Sequence, residues 1–197
     1  RAVRRGVLAA GPARAVRRVT AHLLTGARLL AVAPVAVAFA RPGILHPLLV
    51  ADLILLAIVT DLLDGKVARR QGTASASGML FDHVTDCLFV SAGLAGAALA
   101  ARVPVLLPAL IVVAFSQYVF DSYVLDRRKQ LRMSAIGRWN GVFYFVPLCG
   151  VALVDLANLV PIPLAATALE SATLLVAYSL IASTLVSIID RATASAR

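Results

Sequence analysis

Asp61-Leu62-Leu63-Asp64-Gly65-Lys66-Val67-Ala68-Arg69, then eight residues to Gly78-Met79-Leu80-Phe81-Asp82-His83-Val84-Thr85-Asp86, carries four aspartates between two long apolar segments. Asp61 and Asp64 are three residues apart, and Asp82 and Asp86 four apart, so each pair shares one helix face. Two antiparallel helices joined by a short segment can bring those faces together. The stretch therefore predicts a helical hairpin with carboxylates gathered at its closed end. Carboxylates near a bilayer are costly, roughly 2.5 to 3.5 kcal/mol each at a helix centre, so four in one place demand compensating positive charge. Their oxygens suit Mg²⁺ or Mn²⁺, and the set lacks the paired His or Cys that zinc or copper would use. Two such ions, about 3.5 to 4 Å apart, can clamp a phosphoryl centre and stabilise its attacking and leaving oxygens together.

Working outward, the rest of the 197-residue chain is 60% hydrophobic with a mean hydropathy of +0.89. Soluble domains sit near 45 to 50% apolar, so the composition predicts an all-α, polytopic membrane protein. Six apolar runs, at roughly 20–40, 46–65, 78–100, 103–125, 141–161 and 165–190, approach the length of a spanning helix. Their turns carry Pro, Gly or charge, as in Arg41-Pro42-Gly43, Ala101-Arg102-Val103-Pro104 and Pro161-Ile162-Pro163. Residues 20–190 thus read as one six-helix domain, preceded by an arm over 1–19 and followed by a tail over 191–197. The chain opens on Arg1 rather than Met, so the native start is expected upstream. The first apolar run is long enough to span, unlike a cleavable signal.

The net charge is +9, and its distribution predicts orientation. Every Lys and Arg except Arg41 and Arg102 falls on one side of the six runs, including Lys66, Arg69, Arg70 and the cluster from Arg127 to Arg138. The positive-inside rule places that side, with both termini and the aspartates, at the cytoplasm of a multi-pass cell-membrane protein. The arm, with Arg4, Arg5, Arg14, Arg17 and Arg18 among small apolar residues, reads as an amphipathic juxtamembrane helix on anionic lipid. Nucleic acid is not an expected partner, because aromatics are only 6% of the chain and no binding motif is present.

Around the aspartates, Gly65, Ala68 and Gly78 permit close approach of a bulky ligand or a second backbone. Arg69 can hold a phosphate through its fork. Thr73, Ser75 and Ser77 offer hydroxyls or a cap for the next helix, whose N-terminus favours an anion.

At Asp61, Asp64, Gly65, Ala68, Arg69, Gly78, Asp82 and Asp86 the chain resembles the CDP-alcohol phosphatidyltransferases, matching the family signature in residue and spacing. Thr20-Ala21-His22-Leu23-Leu24-Thr25-Gly26-Ala27-Arg28-Leu29 resembles a second family element, T-P-N-x-L-T-x-x-R-L, with Ala21 and His22 replacing Pro and Asn. The resemblance implies a homodimeric enzyme of phospholipid biosynthesis that displaces CMP from CDP-diacylglycerol with a small alcohol. It implies two Mg²⁺ or Mn²⁺ ions held by Asp61, Asp64, Asp82 and Asp86, with Asp86 also the general base. Gly65, Ala68, Arg69 and Gly78 would line the CDP pocket. Glycerol 3-phosphate, inositol phosphate, inositol, serine and a second phospholipid all suit such a site. The basic segment 127–138 tilts the expectation toward a phosphorylated acceptor, held by Arg132 and Arg138.

The rival reading is a six-span divalent-cation or ion transporter that binds its cargo through the aspartates. It expects carboxylates at mid-bilayer and repeated halves; here they cluster at one end, beside Arg69, and no repeat is present. Elsewhere, Asp121 is expected to pair with Arg28 or Arg138, and Asp155 and Glu170 to lie exposed near the far interface. His83 is expected to point away from the Asp82 face in a structural role, as are His22 and His46. Trp139 and Tyr144 suit an interfacial belt. Cys87 and Cys149 read as small apolar fillers, not a disulfide.

Overall fold

A computed structural model describes residues 26, 28–71, 76–121, 135–160 and 163–195, with the side chains of 64–71, 76–77, 135, 163 and 194–195 left aside. The basic arm, Thr73, Ser75 and Arg132 lie outside the described residues. Secondary structure among those described is entirely helical: α1 (Arg28–Ala40), α2 (Pro47–Gln71), α3 (Ala76–Leu99), α4 (Leu106–Phe120), α5 (Ala135–Phe143), α6 (Phe145–Ala157) and α7 (Pro163–Ser195).

Proline marks these boundaries for a simple reason. Pro47 and Pro163 open α2 and α7, where a missing N–H has no intrahelical acceptor to lose. Pro147 does the opposite. It sits inside the fifth apolar run and cannot donate to the carbonyl four residues back, that of Phe143, where α5 ends. The expected single helix over 141–161 is therefore two pieces meeting at Tyr144, and it starts earlier, at Ala135. Counting α5–α6 as one rod, six rods lie on the six apolar runs. α2 continues to Gln71 and α7 to Ser195, past the expected ends of their runs.

α3 ends in a Schellman motif. The Arg102 amide donates to the Ala97 carbonyl and the Ala101 amide to the Ala98 carbonyl, both at 2.9 Å, with Ala101 at φ 57°. The turn delivers Arg102 to α6, where its guanidinium donates to both oxygens of Asp155 at 2.6 and 3.0 Å and to the Val151 carbonyl at 3.0 Å. Asp155 is thus a partner in a cross-helix clamp, not the free interfacial carboxylate expected.

Core residues recur at helical spacing: Ala31, Val35 and Ala38 on α1, Val50, Ile54 and Ala57 on α2, Val90, Leu94 and Ala97 on α3, Ala177 and Leu180 on α7. Small residues allow the closest approaches. Gly96 of α3 lies against the Ala36 carbonyl of α1, and Gly150 of α6 against Thr173 of α7. α7 packs along α4, α5 and α6, while α3 packs on α4 and α6. The outer surface is also apolar, with Leu55, Leu99, Leu164, Leu175 and Tyr178 all well exposed, as a wall facing lipid would be. Two helical stretches, Ile136–Ala157 and Leu164–Thr193, are long and apolar enough to cross a membrane. α1 and α4 are shorter apolar helices.

Candidate active site

The alternating direction of the rods puts the start of α1, the end of α2, the start of α3, the end of α4, the start of α5 and the end of α7 at one pole. There, Asp61 of α2 meets Asp82 and Asp86 of α3, with carboxylate oxygens all within 4.8 Å of one another. The predicted hairpin therefore assembles three of the four aspartates. Asp64, Gly65, Ala68 and Arg69 lie on the last turns of α2, and Gly78 on the first turn of α3. The side chains of those α2 residues are outside the described set.

Unit charges about 4 Å apart repel by roughly 4 kcal/mol at an effective dielectric near 20. Arg28, from the first turn of α1, offsets that repulsion. Its Nη1 donates to Asp82 Oδ1 at 3.3 Å and also to Asp86 Oδ1, while Nη2 lies 3.5 Å from Asp61 Oδ1. The Arg28 side chain is 0% exposed, against 26 to 33% for the three carboxylates. Arg28 stays on the side of the chain that the charge count assigns it, but the expected pairing of Asp121 with Arg28 or Arg138 is corrected. Asp121 instead faces Arg191 at 3.6 Å.

The cluster offers the donor type a hard divalent cation takes, one carboxylate oxygen from each of three aspartates within 4.8 Å of the others. The residues fit such an ion, and Asp61, Asp82 and Asp86 are the described side chains that could hold it.

A cavity of about 410 Å³ opens beside Asp61 and Asp86, within the usual range for small-molecule sites. Most of its wall is apolar, including Ile58, Phe115 and Val142, but its polar groups converge. Arg138 enters from α5 and Arg191 from α7, the latter with its guanidinium 5.2 Å above the Tyr118 ring. His83 also lines this cavity, its Nδ1 2.7 Å from the Met79 carbonyl and its ring 6.4 Å from that of Tyr118. A carbonyl only accepts, so Nδ1 carries the hydrogen. The expectation that His83 turns away from the site is therefore corrected.

Tyr144 is a cavity-wall residue and not an interfacial anchor. It is buried at the α5–α6 junction and donates to Thr184 Oγ1 at 2.7 Å, while Thr184 donates to the Leu180 carbonyl at 2.6 Å. One turn earlier, Asn140 Oδ1 accepts from Ser183 at 2.7 Å. The two bonds tie the wall carrying Arg138 to α7, which carries Arg191. Trp139 remains exposed and stacks on Phe143 at 5.9 Å, as an interfacial residue would. Cys87 and Cys149 are half-buried free thiols.

The charge pattern puts Arg28 and Arg191 on the side of the aspartates, but sequence reading gives neither of them, nor His83 or Tyr144, a place in the site itself. For Arg28 a signal existed in the T-x-x-R-L segment, whose arginine is the residue that holds the cluster. For Arg191 the fall in hydropathy suggested a tail, whereas α7 continues through it.

Comparison with known proteins bears on what this pole does. No curated protein and no solved structure matches the chain. The sequence model of the CDP-alcohol phosphatidyltransferases matches residues 18–189, which include all seven helices up to the last turns of α7. It gives no support to the transporter reading. With its aspartate cluster between helices of that matched region, the chain belongs to the CDP-alcohol phosphatidyltransferase family, membrane transferases that move a phosphate-containing group from a CDP-alcohol to an alcohol acceptor.

Proposed function

We propose that the protein is a six-span phosphatidyltransferase that transfers the phosphatidyl group of CDP-diacylglycerol to a small phosphorylated alcohol, with glycerol 3-phosphate the first candidate, and releases CMP. The observation that carries this reading is the junction of two features at one pole. The aspartate cluster meets a small-molecule cavity that Arg138 and Arg191 both line.

In this reading Asp61, Asp64, Asp82 and Asp86 hold two Mg²⁺ or Mn²⁺ ions. Bound there, the ions neutralise the diphosphate and stabilise the attacking and leaving oxygens. Gly65, Ala68, Arg69 and Gly78 accommodate the CDP moiety, on the side of the cluster where α2 runs into α3. The described cavity opens on Asp61 and Asp86 without reaching Gly78, which supports its assignment to the acceptor. Arg138 and Arg191 bind the acceptor's phosphate through charge-assisted bonds. That anchor orients the free hydroxyl toward Asp86, which receives its proton as oxygen attacks the phosphorus bearing the diacylglycerol. The bond from that phosphorus to the bridging oxygen breaks, and CMP leaves with the electron pair. The apolar wall excludes competing water. The cytoplasmic orientation lets CDP and acceptor enter from water while the acyl chains stay in lipid.

Purified protein with Mn²⁺ is expected to release CMP from CDP-diacylglycerol only when the correct acceptor is added, and Asp86→Asn to lower turnover by at least about a hundred-fold. Wild-type turnover in Asp86→Asn would remove Asp86 from the catalytic role. Metal flux into liposomes without CMP release would restore the transporter reading.

A further inference from the structure

Arg28 holds an unusual place. It is fully enclosed, it touches carboxylates from two other helices, and it does not line the cavity. A group so placed cannot contact the acceptor. Asp86 has the cavity on one side and Arg28 on another. Each of the three contacts runs to the Oδ1 atom, and a carboxylate has a second oxygen that can serve an ion. The guanidinium is planar with donors at fixed angles. Nη1 donates to both aspartates of α3, while Nη2 lies at ion-pair distance from the aspartate of α2 without a hydrogen bond to it, so the charge of the group bridges the two helices that supply the cluster.

We infer that Arg28 is a positioning residue for the divalent-cation site. It presets the three carboxylates from behind, so that cations bind a formed cluster instead of assembling one against mutual repulsion. The inference rests on the metal-dependent reading proposed above. It differs from the alternative in which Arg28 is a stand-in cation that metal must expel. A lysine keeps the charge but offers one compact ammonium, which cannot reproduce the bridging fork.

The test measures Mn²⁺ binding to the full chain in detergent without substrates, by loss of the free-ion paramagnetic resonance signal. Arg28→Lys is expected to weaken Mn²⁺ affinity between roughly ten- and a hundred-fold, the usual effect of removing a group that orients metal ligands. The Mn²⁺ concentration giving half-maximal CMP release should rise in step, while turnover at saturating Mn²⁺ stays near wild type. Unchanged or tighter binding in Arg28→Lys overturns the inference while leaving the metal reading intact. Absence of Mn²⁺ binding to wild-type protein overturns both. A second measurement needs no variant. In arginine-labelled wild-type protein, one guanidinium resonance protected from solvent exchange should stay protected in Mg²⁺ and be bleached by Mn²⁺. Loss of that protection in Mg²⁺ means Arg28 is displaced, and the inference falls.

Discussion

Arg191 reaches the cavity near the end of α7, 3.6 Å from Asp121 and over the face of Tyr118. Both contacts fix where its charge sits, so it can receive an acceptor phosphate with little reorganisation. A hydrogen bond to a charged group contributes about 1.5 to 3 kcal/mol. Arg191→Ala should therefore raise KM for a phosphorylated acceptor roughly ten- to a hundred-fold, with little change for CDP-diacylglycerol. Steady-state kinetics with each substrate varied in turn checks this. Equal losses for both substrates would mean that Arg191 supports the pole as a whole. At this scale the sequence is an uneven guide. Asp61, Asp82 and Asp86 were legible because their spacing along two helices already puts them on common faces. Arg28 lies 54 and 58 positions from its α3 partners, and no periodicity links residues on separate helices.

Between elements, the packing of α1 on α3 governs whether Arg28 can reach its partners at all. A Cβ at Gly96 would meet the backbone carbonyl of Ala36, which cannot turn aside, so the helices would have to separate. A Cβ at Gly93 would meet Leu148 Cδ1 at 2.6 Å, the far end of a side chain with rotamer freedom. Overpacking a core costs about 1 to 3 kcal/mol. Gly96→Ala should fall at the upper end of that range and Gly93→Ala at the lower. Thermal unfolding in detergent ranks them, and Gly96→Ala should also raise the Mn²⁺ requirement because it moves Arg28. Equal melting temperatures would show that the α1–α3 contact yields more readily than its geometry indicates. The helices themselves were legible from apolar length. The break at Tyr144 was legible only through Pro147, one imino acid whose missing donor outweighs an otherwise continuous apolar run.

Across the whole molecule, two poles carry different work. One holds the aspartates, Arg28, Arg138 and Arg191; the other holds the Arg102–Asp155 clamp, with Arg102 5.8 Å over Phe39. Composition made this polarity readable, because basic residues crowd one side of the apolar runs, whereas the cavity depends on how five rods converge and leaves no mark on hydropathy. The same asymmetry makes a prediction about orientation. In the sequence, nearly all Lys and Arg flank the apolar runs on the side of the aspartates, and the positive-inside rule predicts that this side faces the cytoplasm. In a Cys87→Ala, Cys149→Ala background, Pro42→Cys marks the turn between α1 and α2, at the far pole, and is exposed. Arg128→Cys marks the basic segment after α4. A membrane-impermeant maleimide added to intact cells should label Pro42→Cys at once and Arg128→Cys only after permeabilisation. The reverse pattern would put the aspartates outside. CDP-diacylglycerol and a phosphorylated acceptor would then have to be supplied from the wrong face, and the proposed reaction would lose its substrates before its chemistry was tested.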